Sequence, residues 1–168
     1  EVKILGRIPN TKSANYTDSS LMGNTINTTL NGAITLNGAS SYTIYYSESD
    51  SADSDLNKVS NGWSTAVANY SAAKSYLIVL DNEMVSHKDV SWSYSLNIPA
   101  EVNYKDQIKS NYMVYLNNNS ETGTVAETKA SPEITLKAED GPSIEARLYT
   151  YDFENNGTVT YGKRVTMY

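Results

Sequence analysis

The sequence predicts an all-β protein, and three observations carry that prediction. Apolar side chains recur at every second residue, most plainly in Val90-Ser91-Trp92-Ser93-Tyr94-Ser95-Leu96-Asn97-Ile98, where one face is apolar and the other Ser/Asn. Four Asn-Gly pairs (Asn31-Gly32, Asn37-Gly38, Asn61-Gly62 and Asn156-Gly157) supply residues that tolerate the positive φ of tight turns. Helical signals are thin: an Ala-rich stretch at 64–73 and a turn or two over 53–59. Many short strands separated by turns point to an Ig-like antiparallel β-sandwich with short helical connectors at most; a closed barrel is the alternative.

Taken in order, strands are expected at 2–8, 33–36, 42–46, 76–80, 90–98, 112–116, 123–128, 133–138, 143–151, 158–161 and 164–168. Pro99 stops the fifth of these, because proline cannot donate to a ladder. Asn156-Gly157 marks a hairpin between the strands on either side of it. Residues 12–29 carry few apolar side chains and read as a long loop or irregular edge. The Asp140-Gly141-Pro142 turn suggests a boundary: a β-sandwich module at 1–141, with 142–168 either closing it or starting a following repeat.

Composition narrows function. The chain has 168 residues, long enough for a sizeable core. Ser (21), Thr (16) and Asn (18) make up about a third of it, and 14 Tyr stand against 1 Phe. With 13 basic and 19 acidic residues the net charge is −6, which argues against the positive footprint that nucleic acid requires. No apolar stretch is long enough to insert in a membrane as a helix. The chain begins in mid-pattern at Glu1-Val2-Lys3-Ile4-Leu5 with no leader, as an excised or mature segment would. Cysteine is absent, so disulfides and thiolate chemistry are excluded. His87 is the single histidine and lies between two expected strands, which reads as a loop residue. Neither GxSxG, HExxH nor a phosphate loop occurs, so the chain is expected not to be an enzyme. Carboxylate-only glycoside hydrolysis is the chemistry left open, without a motif in its favour.

Three constellations are candidates for binding or crosslinking. Glu48, Asp50, Asp53 and Asp55 form an acidic cluster able in principle to offer hard oxygens to calcium, though without EF-hand spacing; a solvated loop is the plainer reading. Trp63, Tyr70 and Tyr104 are candidate sugar-stacking rings. Trp92 lies on the apolar side of its strand and is expected in the core, whereas Trp63 follows a turn and is expected exposed. Lys3, inside the first strand, is the lysine best placed for an internal Lys–Asn crosslink, which would need a neighbouring Asn and a buried acid.

An ordered series of phrases runs through most of the chain: Lys3-Ile4-Leu5-Gly6-Arg7-Ile8-Pro9, Tyr45-Tyr46-Ser47-Glu48, Asn61-Gly62-Trp63-Ser64, Lys74-Ser75-Tyr76-Leu77-Ile78-Val79-Leu80, Ser93-Tyr94-Ser95-Leu96-Asn97-Ile98-Pro99-Ala100, Tyr112-Met113-Val114-Tyr115-Leu116-Asn117-Asn118 and Gly141-Pro142. This series resembles repeat modules of large cell-surface and cell-wall proteins of Gram-positive, clostridia-like Firmicutes. The ending Gly157-Thr158-Val159-Thr160-Tyr161-Gly162-Lys163-Arg164-Val165-Thr166-Met167-Tyr168 is similar to the opening strands of Ig-like repeats there. The resemblance implies an exported, non-catalytic stalk or adhesin module. Its partners would be neighbouring repeats and, where it adheres, a host glycan or matrix protein. It carries no catalytic residue with it. A carbohydrate-binding module built on exposed aromatics around Trp63 is the alternative function.

Overall fold

The computed structural model describes residues 2–16, 18–80, 89–120, 123–130, 134–137, 145–146, 149–151, 159–161 and 165–166. The protein is all-β, with two single 3-10 turns, Val59–Asn61 and Tyr70–Ala72, and no α-helix among the described residues. Its strands are β1 (Val2–Arg7), β2 (Thr29–Leu30), β3 (Thr35–Asn37), β4 (Tyr42–Ser47), β5 (Ser75–Leu80), β6 (Ser91–Ser93), β7 (Leu96–Asn97), β8 (Gln107–Ser110), β9 (Tyr112–Ser120), β10 (Gly123–Ala130), β11 (Ile134–Lys137), β12 (Glu145–Ala146), β13 (Tyr149–Tyr151), β14 (Val159–Tyr161) and β15 (Val165–Thr166).

The main sheet is antiparallel throughout and runs β10-β9-β1-β5-β4. The N-terminal strand is therefore central, paired with β5 along one side and β9 along the other. Continuous burial of Ser75–Leu80 has a simple cause: both faces of the sheet are covered, so the alternation of a half-exposed strand disappears. On one face Ile4, Ile78, Leu80 and Tyr46 meet Leu30, Ile34 and Leu36. On the other, Leu5, Leu77 and Val79 are capped by Tyr16, Leu56 and Trp63, which come from loops. Each fully buried aliphatic side chain such as Leu77 or Ile78 contributes about 1.5–3 kcal/mol.

The first face is covered by two short ribbons, β2-β7 and β3-β6, rather than by a second broad sheet. The two broad sheets of an Ig-like sandwich are thus not seen among the described residues. Nor does the main sheet close into a barrel there, since it ends at β4 and β10. The alternation expected over 90–98 holds as far as Asn97, with Val90, Trp92, Tyr94 and Leu96 half-buried between exposed Ser and Asn, but Ile98 is exposed where the pattern ends at Pro99. Its ladder is nonetheless broken in two. Trp92 pairs with Leu36 and Leu96 with Leu30, so the two pairings are four residues apart on one side and six on the other. The surplus residues are taken up at the Asn31-Gly32 turn, with Gly32 at φ +95°. That Asn-Gly pair kinks a strand and does not cap a hairpin.

Two elements, β2 and β8, were absent from the sequence expectation, and neither shows the alternation that marks 90–98. The expected loop at 12–29 is irregular until Thr29, yet it is anchored from inside. Buried Asn10 donates to the Ile8 carbonyl (3.0 Å) and to Asp50 (2.7 Å), and buried Asn24 donates to the Asn10 carbonyl (2.9 Å) while accepting from the Lys109 amide. Beyond β11, β12 pairs with β15, and β13 pairs antiparallel with β14, Tyr151 opposite Val159, whereas a two-residue turn at Asn156-Gly157 would set Tyr151 opposite Gly162. The Asn156-Gly157 turn itself, the proposed boundary at 140–142 and His87 lie outside the described residues.

Candidate functional site

The most site-like feature is an apolar groove of about 500 Å3 where β5, β6, β8 and β9 converge, lined by Tyr76, Trp92, Tyr94, Leu96, Tyr112 and Leu136 among others. Gly6 makes it possible. In the central strand Gly6 pairs with Tyr76 on one side and Tyr112 on the other. Having no side chain, it leaves the space that the Tyr76 ring occupies. The Tyr76 hydroxyl accepts a hydrogen bond from Trp92 Nε1 at 3.0 Å. Tyr94 lies 5.5 Å from the Tyr76 ring, and Tyr112 meets Trp92 edge-on at 4.8 Å. Burial, reinforced by Tyr94, pushes the Tyr76 phenol well above its ordinary range, with the Trp92 bond opposing. At the groove's edge buried Asn111 donates to Asn15 at 2.9 Å. Interlocked rings of this kind present flat apolar faces at low conformational cost. Such rings are the apolar lining that ligand pockets generally carry.

The expected site residues fall elsewhere and do not converge. Trp63 is half-buried, packs on Leu5, Leu77 and Val79, and donates from Nε1 to the Asp53 carbonyl at 3.0 Å. The expectation of an exposed Trp63 is therefore corrected: a turn placed it outside a strand, but the apolar second face of the sheet, which is covered by loops, drew it in. Tyr70 is also half-buried and meets Tyr46 edge-on at 5.3 Å. Tyr104 is exposed, with Lys105 Nζ 5.4 Å from its ring. Trp92, expected as core, is half-buried and lines the groove.

The acidic cluster is dispersed. Asp50 accepts from Asn10; Asp53 holds Lys58 (2.5 Å) and Asn61 (2.5 Å); Asp55 accepts from the Asn57 amide (2.9 Å); Glu48 lines a separate, more polar cleft of about 590 Å3 beside Asn61 and Asn69. Among the described residues no three acidic or histidine side chains gather as metal ligands do. Asn61 organises this loop: its side chain is buried, donates to Asp53 Oδ1 and to the Asp55 carbonyl, and accepts from the Asp53 amide. Its backbone carbonyl accepts from Ser47 Oγ, and Gly62 follows in the left-handed conformation (φ +58°).

Lys58, Asp53 and Asn61 are the residue types of an amide crosslink, but their electrostatics oppose it. Hydrogen bonds from Lys58 and Asn61 hold the Asp53 carboxyl down at about 2, and the same carboxylate keeps the Lys58 amine charged. Crosslinking needs a neutral amine and a protonated acid. Lys3, the expected crosslink lysine, is half-buried in β1 and its Nζ donates to the Ser54 carbonyl at 3.5 Å.

Gly6 and Asn61 were missed by the sequence reading. The available signals were a glycine inside an apolar strand, which marks close approach, and the clustering of Asp around an Asn-Gly. No protein-family model, no curated protein and no solved structure matches this chain.

Proposed function

We propose that the chain is a non-catalytic structural or adhesive module of a bacterial cell-surface protein, extracellular and wall-associated, acting as a stalk or spacer that presents other domains. The observation that supports it most is how tension would cross the sheet. β1 and β10 run parallel on either side of β9. Val2 lies opposite Leu116, midway along β9, whereas Ala130, opposite Met113 and hence level with Leu5, lies three pairs further along. A pull between Val2 and Ala130 has a component along the strands that shears the five β1–β9 pairs and the eight β9–β10 pairs together. A pull applied at one end would open the ladder pair by pair. A neutral-polar, Cys-free composition suits the same role.

Force spectroscopy tests this reading. The chain has no cysteine, so paired cysteine handles are unambiguous. Handles at Val2 and Ala130 are expected to need several-fold more force than handles at Val2 and Tyr42, which share one end of the sheet through Leu80. Equal forces would remove the mechanical argument.

A second reading, a carbohydrate-binding module, is favoured by the aromatic groove, with Trp92, Tyr94 and Tyr112 in place of Trp63, Tyr70 and Tyr104. It predicts saturable binding on a glycan array that heat-unfolded protein lacks and that Tyr112→Ala removes. An array without such a hit would eliminate it.

A further inference from the structure

From three Asn-Gly pairs in contrasting environments, we infer that Asn31 is a site of spontaneous covalent modification and that Asn61, in the same dipeptide, is protected by the fold. In an Asn-Gly pair the glycine nitrogen attacks the Asn Cγ. A Gly N–Cγ bond forms, the Cγ–Nδ2 bond breaks, and ammonia leaves with the glycine's amide proton. Water then opens the cyclic imide at either carbonyl, giving aspartyl or isoaspartyl. Glycine favours ring closure because it offers no side chain to crowd the attacking nitrogen.

At Asn31 the side chain is exposed, and a methyl group built on Gly32 would meet nothing within 4 Å. The turn is an open kink between β2 and β3, anchored by the Asn31 amide donating to the Ser95 carbonyl at 2.8 Å. That bond lies on the N-terminal side of the reacting atoms and leaves them unhindered. Asn37 is held in β3 opposite Ser91, and Gly38 is crowded by the Asp89 carbonyl, so ring closure there has to strain the ladder. Asn61 is locked: it is 2% exposed. The leaving nitrogen donates to Asp53 Oδ1 and the Asp55 carbonyl, and the attacking Gly62 amide is bonded to the Val59 carbonyl at 3.1 Å. Losing a single charge-assisted bond of this set slows reaction at least about tenfold. The product at Asn31 carries a new negative charge. In the isoaspartyl form it also has an extra backbone methylene where the ladder already breaks.

The test is to incubate the folded full chain in mildly alkaline buffer and follow the mass gain that marks replacement of an amide nitrogen by oxygen, located by fragment-ion sequencing. Asn31 is expected to convert at least about tenfold faster than Asn61. In concentrated urea, where the fold no longer differs between them, the two rates should converge. Asn31→Gln should abolish conversion at that position and leave the melting temperature unchanged. A folded-state ratio below that tenfold difference, or a ratio that survives in urea, would overturn the inference.

Discussion

Replacing Gly6 by alanine tests whether the aromatic groove depends on an absent side chain. An ideal Cβ at Gly6 would lie 2.1 Å from Tyr76 Cζ and 2.2 Å from its hydroxyl oxygen. The backbone cannot retreat, because β1 is bonded on both sides. The ring cannot either, because Tyr76 is 2% exposed and tied to Trp92. Overpacking of this kind costs about 1–3 kcal/mol. Displacing the ring costs about 1 kcal/mol more for the Trp92 bond. Alanine's better strand entropy returns roughly 0.5–1 kcal/mol. The net expectation is a loss of about 1–3.5 kcal/mol, read by equilibrium urea unfolding with Trp fluorescence. In a Tyr76→Leu background, which removes the aromatic ring and its hydroxyl, most of that cost should vanish. A Gly6→Ala protein within about 0.5 kcal/mol of the parent, or a cost undiminished in the Tyr76→Leu background, would refute the reasoning.

Four further expectations concern single side chains and pH. Trp63→Ala should destabilise by about 2–4 kcal/mol in urea unfolding, because the ring caps Leu5, Leu77 and Val79; unchanged stability would return Trp63 to the list of surface rings. Tyr46→Phe leaves the buried Ile34 amide without its acceptor (3.0 Å) and should cost about 1–3 kcal/mol by the same assay. Asp53 titrates lower in the folded chain than its ordinary value of 3.8, so its stabilisation is complete above that value and is lost as pH falls towards about 2; Asp53→Asn should flatten the acid limb of urea midpoint against pH, leaving the slope from Asp18 and Asp106, which are shifted the same way. Burial raises Tyr16, Tyr46 and Tyr76 above the ordinary 10.0, so their contribution is intact below that value and lost as pH climbs past it; phenolate absorbance should show a tyrosine fraction that ionises only together with the loss of circular dichroism.

The all-β class, the positions of β1, β4 and β5 and the alternating faces of 90–98 were legible in the chain alone. Each rests on local physics: a period of two over 90–98, short apolar runs such as 76–80 for the buried strands, and Asn-Gly pairs that accept positive φ at Gly32, Gly38 and Gly62. What covers the second face of the sheet depended instead on long-range packing. Burial of Leu5, Leu77 and Val79 demands apolar cover from whichever loop can reach, and that requirement turned Trp63 inward while Trp92 came to line a groove. The acidic cluster was dispersed in the same way. Asn10 claims Asp50 across 40 residues, which no local pattern encodes, and Asn61 claims Asp53 across 8, where the clustering of Asp around an Asn-Gly was the only signal. The groove has the same origin: Gly6, Tyr76 and Tyr112 become neighbours only when β1 is inserted between β5 and β9, and a missing side chain shows its purpose only beside the ring that fills its place.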